Sequence, residues 1–168
     1  MNHDTDMNLA TKNIWTFDCY DSKGNIKWSE TNKNLVTNEG LSHIMSTVFE
    51  SGTQIPTWYT GLKGSGAASE NDTMASHPAW SEDDIYNQTN RQELILGDAV
   101  DGVISNEDSH AIFSINTTAT LYGAFVTSNN VKLGTSGLLY GVVNFPTARD
   151  AESGDTLEVT VFLSAVSA

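Results

Sequence analysis

The sequence is short of basic residues, of paired cysteines and of long apolar runs, and each shortage excludes something. Eight Lys and Arg stand against 21 Asp and Glu, a formal net charge of −13. A surface of that sign repels nucleic-acid phosphates and anionic lipid head groups, so neither nucleic acid nor a membrane is an expected partner. The single cysteine, Cys19, has no mate in its own chain, and stability must come from packing, from partner subunits or from both. No window approaches the ~18 apolar residues of a transmembrane helix. The opening residues Met1-Asn2-His3-Asp4-Thr5-Asp6-Met7-Asn8 carry neither a basic nor an apolar leader region, which sets the expectation of a chain made and kept in a cytoplasm.

What is present is enough chain for a real core. The 168 residues predict one domain with a radius of gyration of roughly 15 Å. Apolar residues make up 39% of the chain and include four Trp, five Tyr and six Phe, enough buried surface to offset chain entropy and exclude disorder. Only 17% of residues are charged, and Ser, Thr, Asn and Gly fill much of the remainder, the composition of a β-rich protein and not of a helical enzyme.

Residues 1 to 12 are polar and read as a terminal arm, with a single domain over residues 13 to 168. Trp15, Phe17 and Cys19 alternate with Thr16, Asp18 and Tyr20; Asp21-Ser22-Lys23-Gly24 interrupts, and Ile26 and Trp28 resume, which predicts a β-hairpin. Leu41, Ile44, Met45 and Val48 fall at helical spacing behind Thr37 and Asn38 as N-cap candidates, with Glu39 in the first turn and Gly52 past the end. This predicts an amphipathic helix over about residues 39 to 50, with Met45 as core filler and His43 on its polar face or edge. Trp58 to Leu62 reads as a short strand in which Gly61 allows close backbone approach. A long polar loop over about residues 63 to 91 contains the hinge-like Gly64-Ser65-Gly66 and the acidic run Glu82-Asp83-Asp84, read as solvated.

Strand patterns dominate the second half: Leu94 to Leu96, Ala111 to Ile115, Ala119 to Thr127, Leu138 to Phe145 and Leu157 to Leu163. Phe162 interrupts the polar side of the last one, which implies that its second face is partly covered. Gly123 and Gly141 lie inside strands where a neighbouring backbone comes close. The fold class is therefore mainly β: an antiparallel β-sandwich, jelly-roll or immunoglobulin-like, of about eight strands with one short inserted α-helix.

The chemistry of a catalytic or metal site is not signalled. Gly134-Thr135-Ser136-Gly137-Leu138 fails the last position of a nucleophile elbow. His3, His43, His77 and His110 are scattered singly, so no catalytic residue, metal site or cofactor is expected and the chain reads as a non-enzyme. The acidic groups Glu82-Asp83-Asp84 and Asp98 with Asp101 lack the spacing of a calcium loop. Three Asn-x-Thr triplets, at Asn71, Asn87 and Asn116, are read as chance matches. The strand aromatics Trp15, Trp28, Phe113 and Phe125 read as core in preference to a sugar-stacking face.

The order of certain phrases carries a resemblance. Asn34-Leu35-Val36-Thr37-Asn38-Glu39-Gly40-Leu41, Trp58-Tyr59-Thr60-Gly61-Leu62, Asp72-Thr73-Met74-Ala75-Ser76-His77-Pro78-Ala79-Trp80, Tyr86 with Arg91, Phe113-Ser114-Ile115-Asn116, Gly123-Ala124-Phe125 and Gly154-Asp155-Thr156-Leu157-Glu158-Val159-Thr160 resemble a family of small tailed-bacteriophage virion structural proteins. The resemblance runs from about residue 13 to the end, and its phrases are structural, with no catalytic signature among them. It implies a capsid decoration or cement protein on the outer face of the phage head, synthesised in the host cytoplasm. The implied partners are the major capsid protein and the chain's own copies, as a dimer or a trimer. A tail or head-to-tail connector component and a host glycan-binding fibre module remain as alternatives.

For such a surface the candidate capsid or subunit contacts are Met7 and Asn13 of the arm region and Met74, His77, Trp80 and Tyr86 of the long loop, because Met and aromatic residues on loops are enriched at buried contacts. Trp80 and Tyr86 read equally as plugs at the ends of the sandwich. Arg91 is expected to pair with the acidic loop.

Overall fold

The structure, a computed structural model, describes residues 9 to 167. Two six-stranded antiparallel sheets pack face to face, with twelve strands and one helix in the order β1 (Leu9–Thr11), β2 (Ile14–Tyr20), β3 (Ile26–Lys33), β4 (Leu35–Val36), α1 (Asn38–Phe49), β5 (Tyr59–Lys63), β6 (Glu82–Asp83), β7 (Gln92–Glu93), β8 (Val103–Ser105), β9 (Ala111–Ser114), β10 (Ala119–Thr127), β11 (Leu139–Ala151) and β12 (Thr156–Ser167). The excess over about eight strands comes from β1, β4, β6, β7 and β8, each two or three residues long and too short to leave a periodic pattern.

In the first sheet β12 is central. Its full length pairs on one side with β2 and then β1, and on the other with β9 and then β8, while β3 forms the outer edge beyond β2. Of the residues read as an arm, Leu9–Thr11 is strand paired with Ala165–Ser167, and Met7 lies outside the described residues. The β2–β3 hairpin turns on Asp21, whose carboxylate accepts from the Lys23 and Asn25 amides at 2.8 and 2.9 Å, with Gly24 at φ +83°. In the second sheet the order is β4, β11, β10, β5, with β6 and β7 sharing the far edge. Leu94 to Leu96, expected as strand, follow β7 as irregular chain.

The inner faces alternate as period two requires. Trp15, Phe17 and Cys19 of β2 and Leu157, Val159 and Val161 of β12 meet Leu62, Leu121, Ala124, Val126 and Val143 across the interface, all fully buried. The second sheet is covered on its outer face too. Phe125, Leu139 and Val142 point away from the main core and are covered by Met74 and Trp80 of the long loop, which makes a second, smaller core. This explains the near-continuous burial along β10 and β11, where a one-sided sheet would alternate.

Gly123 stands at the register shift between β10 and β11 with φ +152°, and a Cβ there would sit 1.9 Å from the Val143 carbonyl oxygen. Gly61 leaves room for the Phe125 ring, which a Cβ would approach to 2.5 Å.

Candidate functional site

The loop residues singled out as contacts are for the most part built into the chain's own interior. Trp80 lies on the outer face of the second sheet, tilted against Phe125 at 5.3 Å between ring centres, with its Nε1–H donated to Asp72 Oδ2 at 2.8 Å. The same carboxylate oxygen accepts from the Ser69 amide at 2.8 Å, closing the turn that sets Met74 beneath the loop. Tyr86 bridges to Ile115 and packs edge-on against Phe113 at 4.8 Å, sealing one side of the sandwich. Asn13 donates to the Tyr140 hydroxyl at 3.1 Å and accepts from the Ser164 amide at 3.0 Å. Asn13, Met74, Trp80 and Tyr86 are thus buried in the chain's own interior. His77 is half-buried, stacked on Trp80 at 4.0 Å, with Nδ1 donating to the Trp80 carbonyl at 2.9 Å.

The acidic run is not uniformly solvated either. Glu82 takes a two-pronged contact from Arg91 and accepts the Leu133 amide at 2.8 Å, which ties the long loop to the chain after β10. The Gly64-Ser65-Gly66 turn is held rather than hinged. Lys63, fully buried, donates through Nζ to the Gly64 carbonyl at 2.9 Å and to the Gly66 carbonyl, and lies 5.7 Å from the centre of the Trp80 ring. Burial lowers the Lys63 ammonium below its ordinary value and raises the Asp83 carboxyl above its own, each opposed by the charge of the other.

The surface that remains unaccounted for is on α1, whose first residue, Asn38, donates its amide to the Glu70 carbonyl of the long loop at 2.8 Å. Thr37 caps the helix, its hydroxyl accepting from the Gly40 amide at 3.1 Å, and the Glu39 carboxylate accepts from the Leu139 amide at 2.6 Å. Gly40 lies so close to β11 that a Cβ would fall 2.4 Å from the Tyr140 carbonyl oxygen. Docked through Gly40, the helix turns His43, Ile44 and Thr47 toward the body. Leu41, Met45 and Val48, roughly 100° further round at 3.6 residues per turn, are left facing outward. Met45 is therefore not core filler but 49% exposed, Val48 is 64% exposed, and Phe49 at the helix end is 72% exposed. The hydrophobic spacing identified the helix; the glycine at its first turn, which alone permits this approach, decided which face went inward.

Beside this row lies a cleft of about 480 Å³ at the open end of the sandwich. Ile44 and Val48 of α1, Ile55 and Trp58 of the following segment, Ile104 of β8 and Leu163 of β12 form its walls. His43 stands edge-on to Trp58 at 5.7 Å, and Trp58 to Tyr140 at 5.7 Å, so aromatic rings connect the helix to the floor. Burial raises the Tyr140 phenol above its ordinary value, opposed by the Asn13 hydrogen bond. The lining is mostly apolar and its volume lies within the roughly 300–1,000 Å³ typical of binding clefts. Its walls do not belong to one local motif but come from stretches far apart in the sequence, from Thr11 to Ala165, which is why the sequence did not announce it.

Among the described residues there is no group of three or more His, Cys, Asp or Glu side chains placed to hold a metal ion, and no helix is long and apolar enough to cross a membrane. No family model matches the chain. No curated protein is similar to it at a significant level.

Proposed function

We propose that this chain is a non-enzymatic virion structural protein, a decoration or cement protein that binds the outer face of a tailed-phage head and stabilises the shell. One observation carries the reading: the exposed row Leu41, Met45, Val48 and Phe49 beside an apolar cleft on an otherwise acidic protein. Contiguous apolar surface on a small soluble chain is the mark of a contact surface. The phrase-level resemblance to small phage virion proteins supplies the partner class, the major capsid protein, with the chain's own copies as secondary partners.

The physics of a lattice favours such a role. A protein that binds the assembled shell and not the free capsid subunit stabilises assembly by mass action. Individually modest contacts, repeated by symmetry and combined through an oligomer of the binder, add up to high avidity. A glycan-binding role draws less support, because Trp15 and Trp80 are buried and Trp28 and Trp58 are only partly accessible, leaving no tryptophan platform for a sugar ring.

Quantitative protein staining of purified particles together with a reconstruction tests the proposal. The expected result is on the order of hundreds of copies in a regular array on the shell. A few copies confined to one vertex would make the chain a tail or connector component instead.

A further inference from the structure

We infer that the cleft beside α1 receives an apolar segment flanked by basic residues, contributed by the shell subunit, and that a second copy of this chain does not fill it. The inference rests on the shell-binding reading for the source of that segment and on the charges around the cleft for its chemistry. Gly97 and Gly102 line the cleft, and their neighbours Asp98 and Asp101 are exposed; Val48 lines it, and Glu50, two residues on, is exposed. Against these three exposed carboxylates there is one exposed cation, Lys12, the neighbour of Thr11, which pairs with Ala165 as Gly102 bonds to it. The helix adds the negative end of its dipole, since α1 has no basic residue in its last turn.

The rest of the chain offers few cations to balance this rim. Lys27, Arg91, Lys132 and Arg149 are held in ion pairs with the chain's own carboxylates, and Lys63 is buried. Docking this face of one copy against the same face of another would bring like charges together at short range. A segment with bulky apolar side chains satisfies the walls, and Lys or Arg on either side satisfies the rim. That combination selects the partner where apolar surface alone would accept many.

The test uses purified full-length protein and three labelled synthetic peptides of about four helical turns each. One has a leucine face and a lysine face, one has the same leucine face with glutamate, and one has the lysine face with serine in place of leucine. Fluorescence anisotropy at low and high salt should show binding of the Leu/Lys peptide alone. Val48→Ser should weaken it by at least about tenfold, and the pair Asp98→Asn with Asp101→Asn by roughly three- to tenfold at low salt and less at high salt. These side chains are exposed, so the variants keep the fold, which circular dichroism verifies.

Equal binding of the Leu/Glu or Lys/Ser peptide, no binding of the Leu/Lys peptide, or indifference to the substitutions would overturn the inference. So would a dimer in sedimentation that Val48→Ser dissolves, because the second copy would then be the occupant. None of these results bears on particle copy number, so the failure of this inference is separable from the failure of the shell-binding reading.

Discussion

Arg91 and Glu82 face each other as a two-pronged ion pair, Nε to Oε1 at 3.0 Å and Nη2 to Oε2 at 2.7 Å. Both side chains are almost wholly buried, and the guanidinium also donates to the Asn129 and Gly134 carbonyls at 2.9 and 2.7 Å while lying 5.2 Å from the Phe125 ring centre. One planar cation thus joins the long loop, β10 and the turn beyond it. A lysine has neither the fork nor the reach to satisfy four acceptors.

Arg91→Lys is therefore expected to destabilise the protein by about 3 kcal/mol, and Glu82→Gln by a similar amount because it leaves a buried guanidinium under-compensated. Chemical denaturation followed by tryptophan fluorescence measures both. A loss under about 1 kcal/mol for both variants would show that the pair is dispensable to the loop.

Gly123→Ala is expected to cost about 3 kcal/mol or more, since the φ of +152° and the 1.9 Å approach to the Val143 carbonyl leave no place for a methyl group. The same denaturation experiment reports it, and a near-neutral result would mean that the register shift between β10 and β11 is absent in solution.

Ser51, just past the helix, holds φ +62°, a conformation that costs a side-chain-bearing residue about 1–2 kcal/mol. Glycine removes that strain at an entropic cost of about 0.5–1 kcal/mol in the unfolded chain. Ser51→Gly should raise stability by about 0.5–1 kcal/mol, seen as a Tm increase of roughly 1–4 °C, whereas a lower Tm would contradict the left-handed conformation.

Cys19 reports on the core through pH. Burial first, then the nearby Asp155 carboxylate, pushes its thiol from 9.0 up to about 12. Below pH 9 the native and unfolded chains both keep the proton, and the thiol contributes no pH dependence. Between the two values the unfolded chain releases the proton and the native one retains it, so stability falls as pH rises, by at most roughly 1.4 kcal/mol per unit for one group. Burial also raises Tyr86 and Tyr140, which adds to the loss above their ordinary value of 10.0. Denaturant midpoints at about pH 8 and about pH 10.5 should differ more for the native sequence than for Cys19→Ala. Equal slopes would place the thiol in solvent.

The β-sandwich was legible because the alternation of Trp15, Phe17 and Cys19, and of Leu157, Val159 and Val161, is the direct imprint of one buried face. The helix was legible by its spacing and by its Thr37 cap, which the structure retains. Which way the helix faces was not, because periodicity defines a stripe and says nothing of what covers it; a contact through Gly40 sets the orientation. Trp80 and Met74 read as contact anchors because Met and aromatic residues on loops are enriched at buried contacts, with a plug of the sandwich an equal reading for Trp80; the second sheet exposes Phe125, Leu139 and Val142 on its far side, and those two residues cover it. The cleft depends on residues from both sheets and the helix coming together, a property of topology that no local window holds.

The claim that the exposed face of α1 is the shell-binding surface is tested most directly by adding purified protein to heads stripped of it and measuring occupancy. The double substitution Val48→Ser with Phe49→Ser changes two exposed side chains and should leave the fold intact. The account predicts that the native chain refills the shell to its original occupancy while the double variant, at the same concentration, falls at least about tenfold short in apparent affinity. Equal occupancy by both would contradict it and move the binding surface elsewhere on the molecule.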